Sequence, residues 1–330
     1  MSQGLDDVIA AETRLSSVDG AHGILVIKGF SLDQIAGQKS FEDVAWLLFG
    51  GLFDDLPDAP AFAARLGHAR SEMFGLVHYI DDGILALPPM DGVRAIIARI
   101  ADGEDLATAT RLLAAPAVLL PAFLRLRNGQ APLAPDPRRG HAADMLHMLD
   151  GQVAAPETAS ALDTYLVTVA DHGLNASTFA ARVVASTWSG LTSSVLAGLA
   201  ALKGPLHGGA PGPIIAMLDG IGTPENAEAW IEDTLARGDR LMGFGHRIYK
   251  VRDPRADALK GAVRRMAKGS NLLPGRLKLA EAVEQAALEI LHRHKPDRPL
   301  DVNVEFYTAL LLEALGFPPD AFTAVFATGR

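Results

Sequence analysis

Apolar residues along this chain recur mostly every three or four positions, the spacing that lines one face of an α-helix. Leu162, Tyr165, Leu166, Val169 and Ala170 share one such face, and Val195, Leu196, Leu199 and Leu202 another, so both segments are predicted helical. Strict alternation is scarce. Its best instance, residues 23–32 (GILVIKGFSL), follows the turn-forming pair Asp19-Gly20 and predicts one small β-hairpin near the N-terminus. The class is therefore mainly α. Gly and Pro cluster at 87–90, 131–140, 204–213, 271–275 and 295–299, which punctuates the helices there. No internal repeat or low-complexity segment interrupts the pattern. The break at 204–213 separates an N-terminal helical part from a shorter C-terminal one and is the candidate hinge.

With 330 residues, 49% hydrophobic and 21% charged, the chain can bury the core of one large domain or two ordinary ones. Its longest apolar run, residues 112–124 (LLAAPAVLLPAFL), falls short of the roughly 20 residues of a membrane span and contains two prolines. The opening MSQGLDDVIAAETRL is polar and acidic, without the basic start and apolar centre of a secretory leader. Cysteine is absent, which excludes disulfides, thiolate metal sites and cysteine nucleophiles. A soluble cytoplasmic protein is expected.

Charge changes this picture locally. Thirty Lys and Arg against 39 Asp and Glu give a net charge of -9, which disfavours a surface devoted to nucleic acid or anionic lipid. Yet between Arg237 and Lys268 ten basic residues (Arg237, Arg240, Arg247, Lys250, Arg252, Arg255, Lys260, Arg264, Arg265, Lys268) face three acids, Asp239, Asp253 and Asp257. Its far end, 260–268, reads equally well as a solvated helix face. The nearer charges crowd behind Gly243-Phe244-Gly245-His246, where glycines let backbone amides approach an anion and arginine supplies forked contacts to a carboxylate. A compact polyanion fits that loop. Stacking aromatics are not interleaved with the charges, so nucleic acid is disfavoured. The loop also lacks the third glycine and preceding strand of a dinucleotide fingerprint, so a nicotinamide cofactor is not indicated.

Ten histidines are present, and most histidines in proteins are structural or exposed. Three have distinctive surroundings. His207 lies in GPLHGGA, His246 closes the GFG loop, and His172 follows Asp171 at the predicted end of a helix, in DHGLNAS. They share no metal-ligand spacing, and His292 and His294 would chelate only weakly, so no metal is expected.

Together with Glu305 in NVEFY, these motifs are where a family becomes recognisable. The chain resembles citrate synthase over nearly its whole length: GLDDVIAAETRLSSVDG, KGFSLDQIA and SFEDVAWLLFGG match its opening, and PMD at 89–91, ALDTYLVTVADHGLNASTFAARV and GFGHRIYKVRDPR continue the match. The resemblance implies a multi-helical large domain (1–209 and 316–330) and a smaller helical domain (210–315). The two would close around substrate by hinging near 208–213 and 312–317. It implies condensation of acetyl-CoA with oxaloacetate and water to give citrate and CoA, in a homodimer, with no permanently bound cofactor. His207 would stabilise the enol of the thioester while Glu305 removes the methyl proton, and His246 would polarise the oxaloacetate carbonyl. His172, Arg255 and Arg330 would hold the oxaloacetate carboxylates, and Ser177 would lie near the acyl group. The 242–246 loop (Met242, Gly243, Phe244, Gly245), Lys250 and Arg298 would meet coenzyme A.

The match departs in four places. Glu305 stands where the family usually has Asp, and the extra methylene moves the carboxylate unless backbone or rotamer compensates. Pro88 and Val169 stand where histidines are common. Members usually continue past the arginine matched by Arg330 with a Gly-Trp-x-Ala-His segment and a further arginine that serves the partner's site. Three alternatives stay open: a 2-methylcitrate synthase using propionyl-CoA, a catalytically impaired CoA-binding paralogue, and a citryl-CoA-cleaving lyase.

Overall fold

The computed structural model describes residues 11–205, 207–209, 212–246, 248–269, 274–295 and 300–330. It opens with a three-stranded antiparallel sheet of β1 (Ser16–Asp19), β2 (Ile24–Ile27) and β3 (Phe30–Ser31). The predicted hairpin is thus present, with a short third strand beyond it. Leu32, expected at the strand's end, instead begins helix α1 (Leu32–Ile35), because Ser31 and Gln34 form a capping box there.

The remaining named elements among the described residues are helices, joined by turns and loops. The first group comprises α2 (Phe41–Phe49), α3 (Ala59–Phe74), α4 (Asp82–Leu85), α5 (Pro89–Ile97), α6 (Leu106–Arg127), α7 (His141–Asp150) and α8 (Pro156–Val169). Then follow α9 (Ala176–Ala185), α10 (Leu191–Leu202), α11 (Gly212–Ile221), α12 (Ala227–Ala236), α13 (Pro254–Gly269), α14 (Pro274–His294), α15 (Val304–Ala314) and α16 (Phe322–Gly329). The molecule is mainly α, as the periodicity predicts.

The apolar run at 112–124 lies within α6, which packs against α3, α5, α7 and α16. By length and composition α6 is long and apolar enough to cross a bilayer, but it is apolar on every side because other helices surround it, and it is mostly buried at the centre of the core. Pro116 and Pro121 sit inside it without ending it, although each removes a backbone donor. The face predicted for α8 is buried throughout, and α8 packs against α13, α7 and α16. One hydrophobic cluster runs from Phe41 to Phe326, and a smaller one joins the sheet to α8 through Leu25, Ile27, Val167 and Ala170.

Candidate active site

Each distinctive histidine lies in a connection that follows a helix or precedes one. After α8 the chain turns through Gly173 (φ +64) and restarts at Asn175, whose side chain caps α9 by accepting from Thr178 N at 3.0 Å. This turn holds His172 buried and sets Ser177 in the first turn of α9. His207 follows α10 in a tight turn, with its amide donating to the Gly204 carbonyl at 2.9 Å and the Gly208 amide to Leu202.

The Gly-Phe-Gly loop is stitched to the segment that leads into α15. Phe244 pairs with Val302, the Gly245 amide donates to the Asp301 carbonyl at 2.7 Å, and the Asn303 amide donates to Gly243 at 2.9 Å. Gly243 (φ +85) and Gly245 (φ +80) adopt the left-handed conformation this needs, and a Cβ at Gly243 would collide with Phe306. The Gly245 amide, read from sequence as open to an anion, is therefore already bonded within the protein. Asn303 caps α15 by accepting from Glu305 N at 3.0 Å, which fixes Glu305 in the first helical turn.

These loops converge. His172 and His246 rings lie 5.8 Å apart, although 74 residues separate them in the chain. His246 Nδ1 accepts the amides of Ile248 and Tyr249, both at 3.1 Å, so the neutral ring carries its proton on Nε2. Arg255 Nη2 lies 3.2 Å from that Nε2, a donor set against a donor, and an oxygen accepting from both would relieve the contact. Tyr249, a member that sequence reasoning missed, bonds His172 Nε2 through its hydroxyl at 3.0 Å.

Asp253 is the other missed member, and only 1% of it is exposed. Its carboxylate accepts from Arg255 Nε (3.0 Å) and Nη2 (2.8 Å), from Arg255 N (3.0 Å), and from Val304 N (3.1 Å) at the start of α15. It therefore orients the guanidinium and anchors the helix that carries Glu305. The available signal was local: an acid directly before Pro254 and the helix that proline opens.

A second pair lies on the other side. His207 Nε2 is 2.9 Å from Ser177 Oγ, whose hydroxyl is also 2.7 Å from Asn175 Oδ1. The His207 ring meets Phe326 of α16 edge-on, and Arg330 follows at the end of that helix, donating from Nε to the Val169 carbonyl. The Arg330 cation acts on His172, His207 and Glu305 alike, which places it among all three.

Burial dominates the protonation states. It depresses His172 to about 2, with help from Arg255, Arg330 and His246, and His246 to about 4, with help from Arg255. His207 is lowered by burial and then by Arg330. All three rings are therefore neutral donors or acceptors near pH 7. Burial lifts the Glu305 carboxyl to about 7; Arg255 and Arg330 pull it down, while Asp253 pushes it up. The dipole of α15 favours its anion as well, but does not overcome burial.

The basic island is less free than its count suggests. Arg237 pairs with Asp233 and Asp239, Arg252 with Asp257 and Glu284, Arg255 with Asp253, Lys260 with Glu284, and Arg264 with Glu281. Glu284 of α14 also accepts from the Tyr307 hydroxyl, so one buried carboxylate ties α13, α14, α15 and the loop before α13 together. Lys250 is exposed, beyond the Gly-Phe-Gly turn. Arg298, with Arg247, lies outside the described residues. Among the described residues, no three His, Asp or Glu side chains gather as metal ligands.

Comparison with known proteins gives a consistent result. A family model described as citrate synthase, C-terminal domain, matches residues 4–330. The chain is 33% identical, over an alignment of 353 residues, to a citrate synthase of Haloferax volcanii, with 100% of this chain and 89% of that protein covered. A crystal structure of citrate synthase from Pyrobaculum aerophilum superposes with a TM-score of 0.86 at 32% identity, covering 99% of this chain and 85% of that one. Citrate synthase from Thermoplasma acidophilum, in a ternary complex with carboxymethyl coenzyme A and oxaloacetate, superposes with a TM-score of 0.82 at 29% identity, covering 100% of this chain and 90% of that one.

Proposed function

Because the chain belongs to the citrate synthase family and is an enzyme of that acyl-condensing kind, we propose that it joins acetyl-CoA to oxaloacetate and, with water, releases citrate and CoA. The observation that carries this reading is one carboxyl poised near pH 7, Glu305, in the field of Arg255 and Arg330, the same guanidiniums that act on the neutral imidazoles of His172, His207 and His246. A thioester methyl proton is too weakly acidic for a carboxylate acting alone, so a donor must stabilise the oxygen as charge develops on it.

Glu305 takes the methyl proton, and the electron pair moves onto the thioester oxygen, which accepts a hydrogen bond from His207. For this His207 needs its proton on Nδ1, a tautomer in which Nε2 accepts from the Ser177 hydroxyl in place of that hydroxyl's bond to Asn175 Oδ1. The enol carbon then attacks the oxaloacetate carbonyl, whose oxygen accepts from the Nε2–H of His246. Arg255, Arg330 and His172 hold the oxaloacetate carboxylates. Water finally cleaves the thioester of the condensed product and frees the CoA thiol. Coenzyme A would lie along the 242–246 loop with Lys250 and Arg298.

Domain closure of 210–315 on the remainder, hinged near 208–213 and 312–317, would exclude water during enolisation. A homodimer is proposed from the exposed apolar side chains of α9 and its flanks: Leu174, Phe179, Val183 and Trp188, the last 82% exposed. Cytoplasmic operation belongs to the same reading.

Thiol release tests it. With oxaloacetate present, acetyl-CoA should liberate free thiol, and propionyl-CoA should do so more slowly. Faster release from propionyl-CoA would move the assignment to 2-methylcitrate, and no release from either would overturn the condensing reading.

A further inference from the structure

The N-terminal hairpin touches both loops that carry the facing histidines, and none of the site residues lies on it. On one side, the Ser16 hydroxyl donates to the Asp171 carboxylate and its oxygen accepts the Gly173 amide at 2.9 Å, an amide that Asp171 Oδ1 shares at 3.0 Å, so one side chain grips the residues on both sides of His172 and completes the turn between them. On the other side, the Gly20 carbonyl accepts the Lys250 amide at 2.8 Å, one residue past Tyr249.

The approach at the turn is close enough to exclude side chains. A Cβ on Gly20 would collide with the Ile248 carbonyl, and one on Gly23 (φ +67) would meet the Arg252 carbonyl at 2.9 Å. The hairpin is stiff: β1 and β2 pair from Ser16↔Ile27 to Asp19↔Ile24, and the Asp19 carboxylate accepts the amides of Ala21 (3.0 Å) and His22 (3.1 Å) across the turn. Its underside, Leu25 and Ile27, packs on Val167 and Ala170 at the end of α8, and Ala258 of α13 adjoins the same cluster. Those two helices flank the loops that the hairpin bridges.

We propose that the hairpin is a positioning strap that sets the separation of His172 from the His246–Arg255 loop, with Ser16 and Gly20 as its two attachment points. The β1–β2 ladder is backbone pairing and does not need the Ser16 hydroxyl. That hydroxyl instead holds the Asp171–Gly173 turn in the orientation that directs His172 toward Tyr249. Asp171 also acts on Arg330, so the same grip extends to the third group assigned to oxaloacetate. The consequence for catalysis rests on the condensing reading above, whereas the mechanical claim does not.

The experiment compares Ser16→Ala, Ser16→Thr and Gly20→Ala with the unaltered chain, using His22→Ala at the exposed tip as a control. Ser16→Ala should raise the KM for oxaloacetate about tenfold, the effect of losing a hydrogen bond to a charged group, and leave the KM for acyl-CoA within about twofold. Ser16→Thr, which keeps the hydroxyl, should restore it, and Gly20→Ala should lower kcat as well by displacing the 248–252 loop. Amide exchange supplies a readout independent of turnover: the Lys250 amide should exchange faster in Gly20→Ala, and the Gly173 amide faster in Ser16→Ala, where its remaining acceptor, Asp171 Oδ1, is itself released by the lost hydroxyl. Wild-type exchange at both amides would overturn the strap even if the chain releases no thiol. A Ser16→Ala enzyme with unchanged oxaloacetate KM, or with both KM values raised equally, would overturn its catalytic role.

Discussion

Two regions of this molecule bury histidine, arginine and carboxylate together, and only one of them gathers the residues assigned to the proposed reaction. In the first, between α3 and α7, Arg70 is 0% exposed and donates from Nε to Asp144 at 2.7 Å and from Nη2 to the Arg139 carbonyl at 2.6 Å. His141 stacks on Phe41, and its amide is taken by Glu42. Two atoms there, Glu42 Oε2 and His141 Nε2, have no partner, but both residues are sealed in the core. In the second region, Arg255 is also paired, through Asp253, yet its Nη2 faces the Nε2 of His246, donor against donor. The residue types are nearly the same. The difference is that the first cluster gives its guanidinium to Asp144 of α7 and to the Arg139 carbonyl, whereas the second, at the start of α13, sets a guanidinium nitrogen against an imidazole carried by another segment.

The largest test of that contrast is to remove one group from each region. Glu305→Gln keeps shape and loses the base, and turnover should fall about 10²–10⁴-fold with the folding midpoint little changed, as measured by thiol release and urea titration. A fully active Gln variant would remove Glu305 from the role of base. Arg70→Ala should do the reverse. It leaves Asp144 buried without its partner and should lower stability by about 3–5 kcal/mol, while the fraction that remains folded turns over normally.

The smallest and sharpest test uses pH, because each region also holds a carboxyl lifted to about 7 by burial: Glu305 in one, and Asp163, beside Glu42 and Asp43, in the other. A raised acid keeps its proton in the folded state after the unfolded chain has lost it. Its stabilising contribution is therefore complete below the unfolded value near 4 and is lost as pH rises through about 7. Asp163→Asn, whose amide oxygen can still accept the Phe41 amide as the carboxylate does at 3.0 Å, should lessen the loss of stability as pH rises from about 4 to about 7. It should leave untouched the rise of kcat/KM through about pH 7 expected if Glu305 is the base. The depressed histidines act oppositely: the unfolded chain binds protons that folded His172 and His246 refuse, so stability should fall as pH drops from 6.5 toward 4. If Asp163→Asn shifted the activity profile, the two regions would not be independent.

Local signals made much of this legible. Asp19-Gly20 marked the hairpin turn, the helical spacing of 162–170 marked the face of α8, and the glycines around His246 marked a loop of unusual conformation. The basic island misled for a physical reason. Counting charge along a window misses acids that return in space, and Glu281 and Glu284 arrive on α14 while Asp233 lies just before the window. Tyr249 was passed over because a tyrosine between charged residues carries no signal until its hydroxyl has a partner.

The sequence by itself determined the helical class, the N-terminal hairpin and the family, and it nominated most of the candidate site's side chains, because periodicity, turn chemistry and motif are local properties. Tertiary structure alone decided which of those side chains meet and in what state of charge. His172 and His246 become neighbours only when α8 packs on α13, and Asp253 becomes an anchor only when α15 begins beside it. Glu305 near 7 and the histidines well below 6.5 are set by burial and by guanidiniums brought from distant positions, and long-range fields of that kind have no counterpart in the order of residues along a chain.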